Sequence, residues 1–371
     1  MNKNYIIISI GFISTCFWGF TFLRQDNTQT ISADNAKIQY TGRFDFANPK
    51  QPKFAWTGSQ ITFTFEGTFC NLLMNNFSEG NDKTGKPNVN YFNILINNKL
   101  VSVLKVENGK NFYELAKDLP KGKYTVHIFK RTEASVGICE FIGFQIDKNG
   151  KVMDSPKKPK RKVEFIGDSI TCGYGNEGDK KECPFTPETE NGMMSYAAIM
   201  AQSVDAEYVT TCYSGRGVIQ NYDKSKQGTM PELYDLVYPQ ANSPQWKFDS
   251  GTPDAVFINL GTNDFAHEIP DSTSFVLSYN SLINKIVTNY PKAKVFCLAG
   301  SMMGGEKLKT IKNYLQQTVS YQHKKGNTKV YFFEMSSQGK LGYGCDWHPN
   351  VAQNQQNAKE LIAFVKEKMK W

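Results

Sequence analysis

The 371 residues are 40% hydrophobic and 13% aromatic, enough for two domains and at least one sizeable core. The net charge of +8 is concentrated: residues 147–162 hold seven Lys or Arg against two Asp and, with Pro156 and Pro159, read as a solvated linker. No basic stripe interleaved with aromatics occurs elsewhere, which excludes nucleic acid as a partner.

In chain order, Lys3 precedes an apolar stretch over residues 5–23, the pattern of a secretory signal or an uncleaved N-terminal anchor. Residues 1–33 are therefore expected to be a leader, with Ala33 as its possible end, and the protein to be exported and secreted, periplasmic or surface-anchored. Ile13-Ser14-Thr15-Cys16 faintly resembles a lipoprotein box, with threonine out of place before the cysteine. No other stretch is apolar enough to span a membrane. Of eight cysteines, seven follow Cys16, and no CxxC spacing suggests zinc or a redox dithiol. Cys172 and Cys183 flank a loop and are candidates for a pair; the others read as small buried apolar residues.

Residues 34–147 alternate with the period of strands, as in Ile-Thr-Phe-Thr-Phe over 61–65 and again over 124–130. Runs at 91–96 and 100–106, joined by Asn97-Asn98-Lys99, predict a hairpin. The expected unit is an antiparallel β-sandwich of jelly-roll type, followed by the linker over 148–162.

From 163 to 371 strands alternate with helices. Strands are predicted at 163–166, 208–211, 255–259, 294–299 and 329–334. Helical faces carry Phe275, Tyr279, Leu282, Ile283 and Ile286, then Leu308, Ile311, Leu315 and Val319, then Ala358, Leu361, Ile362 and Val365. Such alternation implies a three-layer α/β/α domain with a parallel sheet covered on both faces.

Four blocks follow predicted strands and so fall at the carboxyl edge of that sheet, where open α/β folds place their ligands. They are Gly167-Asp168-Ser169-Ile170, Tyr213-Ser214-Gly215-Arg216-Gly217, Gly261-Thr262-Asn263-Asp264 and Asp346-Trp347-His348-Pro349-Asn350. A serine hydroxyl needs a base to become a nucleophile, and His348 is the candidate base for Ser169. The resulting oxyanion needs fixed donors, which the N–H groups of Ser169 and Gly215 and the amide of Asn263 can supply. Taken singly these residues have plainer readings: Ser169 or Asp168 as a helix cap, Asn263 and Asp264 as an Asx turn, and His348 as a hydrogen-bonded structural residue.

Together, the blocks resemble those of the SGNH, or GDSL-like, hydrolase superfamily, with Ser169, Gly215, Asn263 and His348 at its four name positions. The sandwich followed by this domain further resembles carbohydrate esterase family 2. That resemblance implies a metal-free and cofactor-free serine esterase that removes acetyl groups from plant cell-wall polysaccharide such as xylan or glucomannan. The superfamily places an aspartate three residues before the histidine, where this chain has Cys345. Either Asp346, two residues before, or a backbone carbonyl is left to orient His348. Trp347 is a candidate sugar platform against a reading as core packing. Arg216 either touches substrate or braces its block. Rival readings are an esterase for sialic-acid or lipid esters, a non-catalytic carbohydrate binder, and an adhesin.

Overall fold

The computed structural model describes residues 27–240, 242–249 and 251–371. The period-two segments of the first half form eleven strands: β1 (Thr28–Ser32), β2 (Gln39–Thr41), β3 (Lys53–Phe54), β4 (Gln60–Gly67), β5 (Cys70–Phe77), β6 (Asn90–Ile96), β7 (Lys99–Val106), β8 (Phe112–Ala116), β9 (Gly122–Lys130), β10 (Ile138–Asp147) and β11 (Lys151–Met153). They pair antiparallel in two sheets. One runs β1-β10-β5-β8 with β3 on β10, the other β11-β4-β9-β6-β7 with β2 on β4. The inner faces meet in a core where Phe63 of β4 stacks on Phe144 of β10 at 3.7 Å, the expected face-to-face packing of a sandwich. The predicted hairpin closes through Asn97 and Asn98, both with positive φ (51° and 64°), so Ile96 faces Lys99. Two left-handed central residues match the turn to the right-handed strand twist.

Both expected boundaries move. Strand β1 pairs along β10, and Ala33 is 1% exposed, so the sandwich begins before residue 34. A cut at Ala33 would delete an edge strand. The apolar stretch over 5–23, with Cys16, lies outside the described residues. The linker is shorter than 148–162, because Lys151–Met153 adds to the sheet as β11, paired with β4, and Arg161 and Lys162 already belong to the next strand. Lys158 in the remaining connector joins the two halves, donating to the carbonyl of Tyr40 at 2.6 Å and to Glu207 at 2.8 Å.

The second half contains β12 (Arg161–Gly167), α1 (Ser169–Cys172), α2 (Tyr196–Ser203), β13 (Ala206–Cys212), α3 (Met230–Leu233), β14 (Ala255–Asn259), α4 (Ser272–Asn289), β15 (Lys294–Ala299), α5 (Gly305–Lys324), β16 (Val330–Glu334) and α6 (Val351–Met369). All five strands are parallel, in the order β13-β12-β14-β15-β16. Strand order reverses direction at β12, creating a crevice between the connections that leave β12, β13 and β14. The predicted apolar faces of α4 and α5 cover one side of the sheet, while α2 and α6 cover the other.

The two halves share a buried seam. Arg43 of the sandwich reaches Glu164 of β12 at 3.0 Å and donates to the carbonyls of Tyr234 and Leu236. The segment after β9 enters the second domain, where the Arg131 guanidinium binds the carbonyls of Glu188 and Glu190 and the carboxylate of Glu177. Among the described residues, no helix is long and apolar enough to cross a membrane.

Candidate active site

Register delivers three of the four blocks to one place. Gly167 at the end of β12 lies level with Cys212 of β13 and Asn259 of β14, so the chain leaves all three strands at one height. At the first exit Asp168 caps α1, accepting from the Ile170 N–H at 3.0 Å. Gly167 is required by closeness: a Cβ there would lie 2.1 Å from Thr171 Oγ1. Ser169 therefore starts the helix at the mouth of the crevice. Among the described residues, neither its N–H nor that of Gly215 donates to a protein acceptor.

Gly215 has φ +78°, a region that disfavours side chains, and its carbonyl accepts from the Tyr222 N–H at 2.8 Å. The preceding Ser214 N–H donates to Glu133 of the sandwich at 2.7 Å. The Asn263 amide donates to the Arg216 carbonyl at 2.8 Å and lies 3.5 Å from Asp168 Oδ2. Arg216 thus braces Asn263 through its backbone, while its guanidinium sits over the Tyr213 ring at 4.8 Å. Asp264 accepts from the N–H groups of Val218, Ile219 and Gln220, which fixes the loop after Gly215. Burial, with Asp264 nearby, pushes the Asp168 carboxyl up to about 7.

The fourth block crosses from β16 on the sheet edge. His348 Nε2 lies 2.8 Å from Ser169 Oγ, and Nδ1 lies 2.9 Å from the backbone carbonyl of Asp346. An Nδ1–H held on a carbonyl leaves the Nε2 lone pair facing the hydroxyl. Burial holds the imidazole down to about 4, against the opposing charge of Asp346, so the ring is a neutral base at neutral pH. The Tyr174 ring covers it at 4.3 Å and is itself stacked on Phe185 at 3.9 Å.

The carboxylate of Asp346 does not serve the imidazole. It accepts from Lys83 Nζ at 2.5 Å, Tyr174 OH at 2.8 Å and the Phe185 N–H at 3.2 Å. Of the two alternatives for orienting His348, the fold uses the backbone. Asp346 and Trp347 are consecutive left-handed residues (φ 50° and 62°), a conformation that costs roughly 1–3 kcal/mol per residue and persists only when its surroundings impose it.

The surroundings include a disulfide that the sequence reading misassigned. Cys172 pairs with Cys212 and Cys183 with Cys345, so Cys172 and Cys183 do not join each other. Cys172 ends α1 beside the end of β13, whereas Cys183 lies farther along the loop over the histidine block. Cys70, Cys139 and Cys297 are free and buried, as small apolar residues. Glu133, Glu190 and Cys172 approach within 4.8 Å of one another, but a sulfur committed to a disulfide offers no thiolate to a metal.

The Carbohydrate esterase 2 N-terminal family matches residues 40–156, and the GDSL-like Lipase/Acylhydrolase family matches residues 165–356. A solved family two carbohydrate esterase from Clostridium thermocellum, in complex with cellohexaose, is 38% identical, with a TM-score of 0.84 over 90% of this chain and 99% of that one. The chain belongs to carbohydrate esterase family 2. Cellulase/esterase CelE of Acetivibrio thermocellus is 39% identical over 93% of this chain, which spans only 41% of that protein. An acetylxylan esterase / glucomannan deacetylase of Cellvibrio japonicus is 26% identical over 97% of this chain and 96% of its own length.

In this member of carbohydrate esterase family 2, two aromatic side chains on the Gly215 and His348 loops stand in solvent. Trp347 is 51% exposed, which removes core packing as its role; Lys181 lies over its ring at 4.2 Å and Tyr343 meets it edge-on at 5.7 Å. On the opposite block Tyr222 is 60% exposed, with His267 against its ring at 5.3 Å. Sequence reasoning missed Tyr174, Lys83 and Glu133. Tyr174 lay within the serine block's own stretch, but nothing in the pattern marked the two sandwich residues.

Proposed function

We propose that the chain is an exported carbohydrate O-acetyl esterase that removes acetyl groups from plant cell-wall polysaccharide, xylan or glucomannan, by serine catalysis. The observation that carries this reading is the 2.8 Å approach of Ser169 Oγ to His348 Nε2, with unused N–H donors beside it. Ser169 Oγ attacks the acetyl carbon while Nε2 takes the hydroxyl proton. The oxyanion is received by the N–H groups of Ser169 and Gly215 and by the Asn263 amide. Nε2 returns the proton to the departing sugar oxygen, leaving acetyl-Ser169. Water then attacks this ester, again deprotonated by His348, and acetate leaves as Ser169 Oγ recovers the proton.

Throughout, the Asp346 carbonyl keeps the Nδ1 proton in place, so the machinery is a Ser-His dyad with a backbone orienter. Trp347, half exposed, supplies an apolar face for a sugar ring. The naming of the Cellvibrio relatives as acetylxylan esterase / glucomannan deacetylase supports the choice of polymer. Two disulfides support an oxidising destination.

Hydrolysis of a chromogenic acetate, lost in Ser169→Ala, tests the chemistry. Acetate release from acetylated xylan, glucomannan, sialic acid and lipid esters then tests the substrate. Preference for the last two would overturn the polysaccharide assignment.

A further inference from the structure

The loop between β5 and β6 of the sandwich is built to present one side chain to the other domain. Asp82 Oδ1 accepts from the N–H and hydroxyl of Thr84 and from the Lys86 N–H, closing a tight turn. Asn81 bridges to Pro87, and Asn88 and Asn108 tie the loop base through the carbonyls of Glu79 and Ser78. At the tip, Lys83 reaches Asp346 Oδ2 across 263 residues of sequence. Its ammonium also lies 5.8 Å from the centre of the Tyr174 ring that covers His348.

Asp346 is the residue whose carbonyl aims the imidazole, and its side chain is its handle. The handle is gripped by Lys83 from the sandwich and by Tyr174 OH and the Phe185 N–H from the 173–192 loop. Rotation of the left-handed Asp346 unit would carry its carbonyl away from Nδ1 and loosen the alignment of Nε2 with Ser169.

We propose that Lys83 is a positioning residue for the hydrolytic site: the sandwich holds the catalytic imidazole in register by gripping Asp346. The inference rests on the dyad reading above. It gives the sandwich a part in turnover apart from any binding of polysaccharide.

The charges around the imidazole make the idea specific. Facing His348 are Asp346 on its own loop, Lys83 on the sandwich loop, the Tyr174 phenol and the Ser169 hydroxyl; Glu133 and Glu190 act on Tyr174 from behind, and Lys181 lies outward over Trp347. The Lys83 ammonium neutralises Asp346 and also disfavours an imidazolium directly. Removing it leaves Asp346 uncompensated, so the ring protonates more readily and the acid limb of the kcat profile must move up. Removing the Asp346 charge instead must move the limb down.

The test is the pH dependence of chromogenic acetate hydrolysis by the full chain, in the unaltered protein and in Lys83→Met, Lys83→Arg, Asp346→Asn and Ser169→Ala, with thermal unfolding recorded for each. Lys83→Met is expected to lower kcat about three- to fivefold, the order a partly exposed ion pair supports, with KM little changed. Its acid limb should rise by roughly half a pH unit and that of Asp346→Asn should fall by a similar amount. Lys83→Arg should restore both kcat and the limb.

An active protein whose Lys83→Met variant keeps the original kcat and limb overturns the grip. So does a fall in kcat with an unmoved limb that Lys83→Arg fails to repair, because that is generic loosening. Hydrolysis that survives Ser169→Ala would instead remove the dyad reading, and the grip with it.

Discussion

The serine turn and the histidine loop meet at one hydrogen bond but are held in different ways. Ser169 is placed by its immediate neighbours: a strand end, a cap from Asp168 and a glycine that Thr171 packs against. His348 is placed from a distance, by the disulfide at Cys345, the Tyr174 and Phe185 rings and a lysine from the other domain. In the proposed dyad, a nucleophile fixed locally survives many changes elsewhere in the chain. A base fixed remotely makes activity answer to parts of the protein that touch no substrate.

Substitution at the Ser169–His348 contact should cost most. Ser169→Ala and His348→Ala should each lower kcat on a chromogenic acetate by about six orders of magnitude, and the double variant should fall little further, since the pair works as one unit. Next, Asn263→Ala should lower kcat about a hundred- to a thousandfold with KM nearly unchanged, as expected of a donor used in the transition state.

A pH profile sharpens the contrast. The base must be neutral, and burial holds it down to about 4, so activity should persist below the ordinary imidazole value of 6.5. It should then fall about tenfold per unit once imidazolium dominates. A limb at or above 6.5 would show that the ring is less secluded than the fold indicates.

Cys345→Ala tests the remote hold itself. Breaking a link between residues 162 apart should cost about 2–4 kcal/mol of stability, read by denaturant unfolding, and should lower kcat at temperatures where the chain stays folded. The smallest of these effects is expected for Asp346→Ala. The carbonyl on Nδ1 remains, so kcat should fall about tenfold, far short of His348→Ala. An equal loss would mean that the carboxylate acts on the ring in turnover.

The same contrast explains what the sequence disclosed. Parallel strands end level and buried helices repeat every 3.6 residues, so the five strands, the helix faces of Phe275 and Ile311 and the convergence of Ser169, Gly215 and Asn263 were legible. The approach of His348 to Ser169 was legible because its block follows the last strand at the same sheet edge. Its orienter was not. Whether Asp346 offers its carboxylate or its carbonyl depends on two left-handed φ angles, which neither residue type announces. Pairing of Cys172 with Cys212 depends on which strand neighbours β12, a long-range fact without local mark. Strands as short as β11 gain their pairing from β4, so composition made the Lys-rich stretch look like linker throughout. Lys83 had no signature at all among the many exposed lysines.

One consequence follows from how far apart the joined pieces lie along the polypeptide. The Ser169–His348 contact spans 179 residues, and the Lys83–Asp346 contact spans 263. The proposed dyad therefore cannot assemble until synthesis has passed residue 348, and any shorter nascent fragment lacks it. Late completion of the proposed site is thus written into the order of the chain.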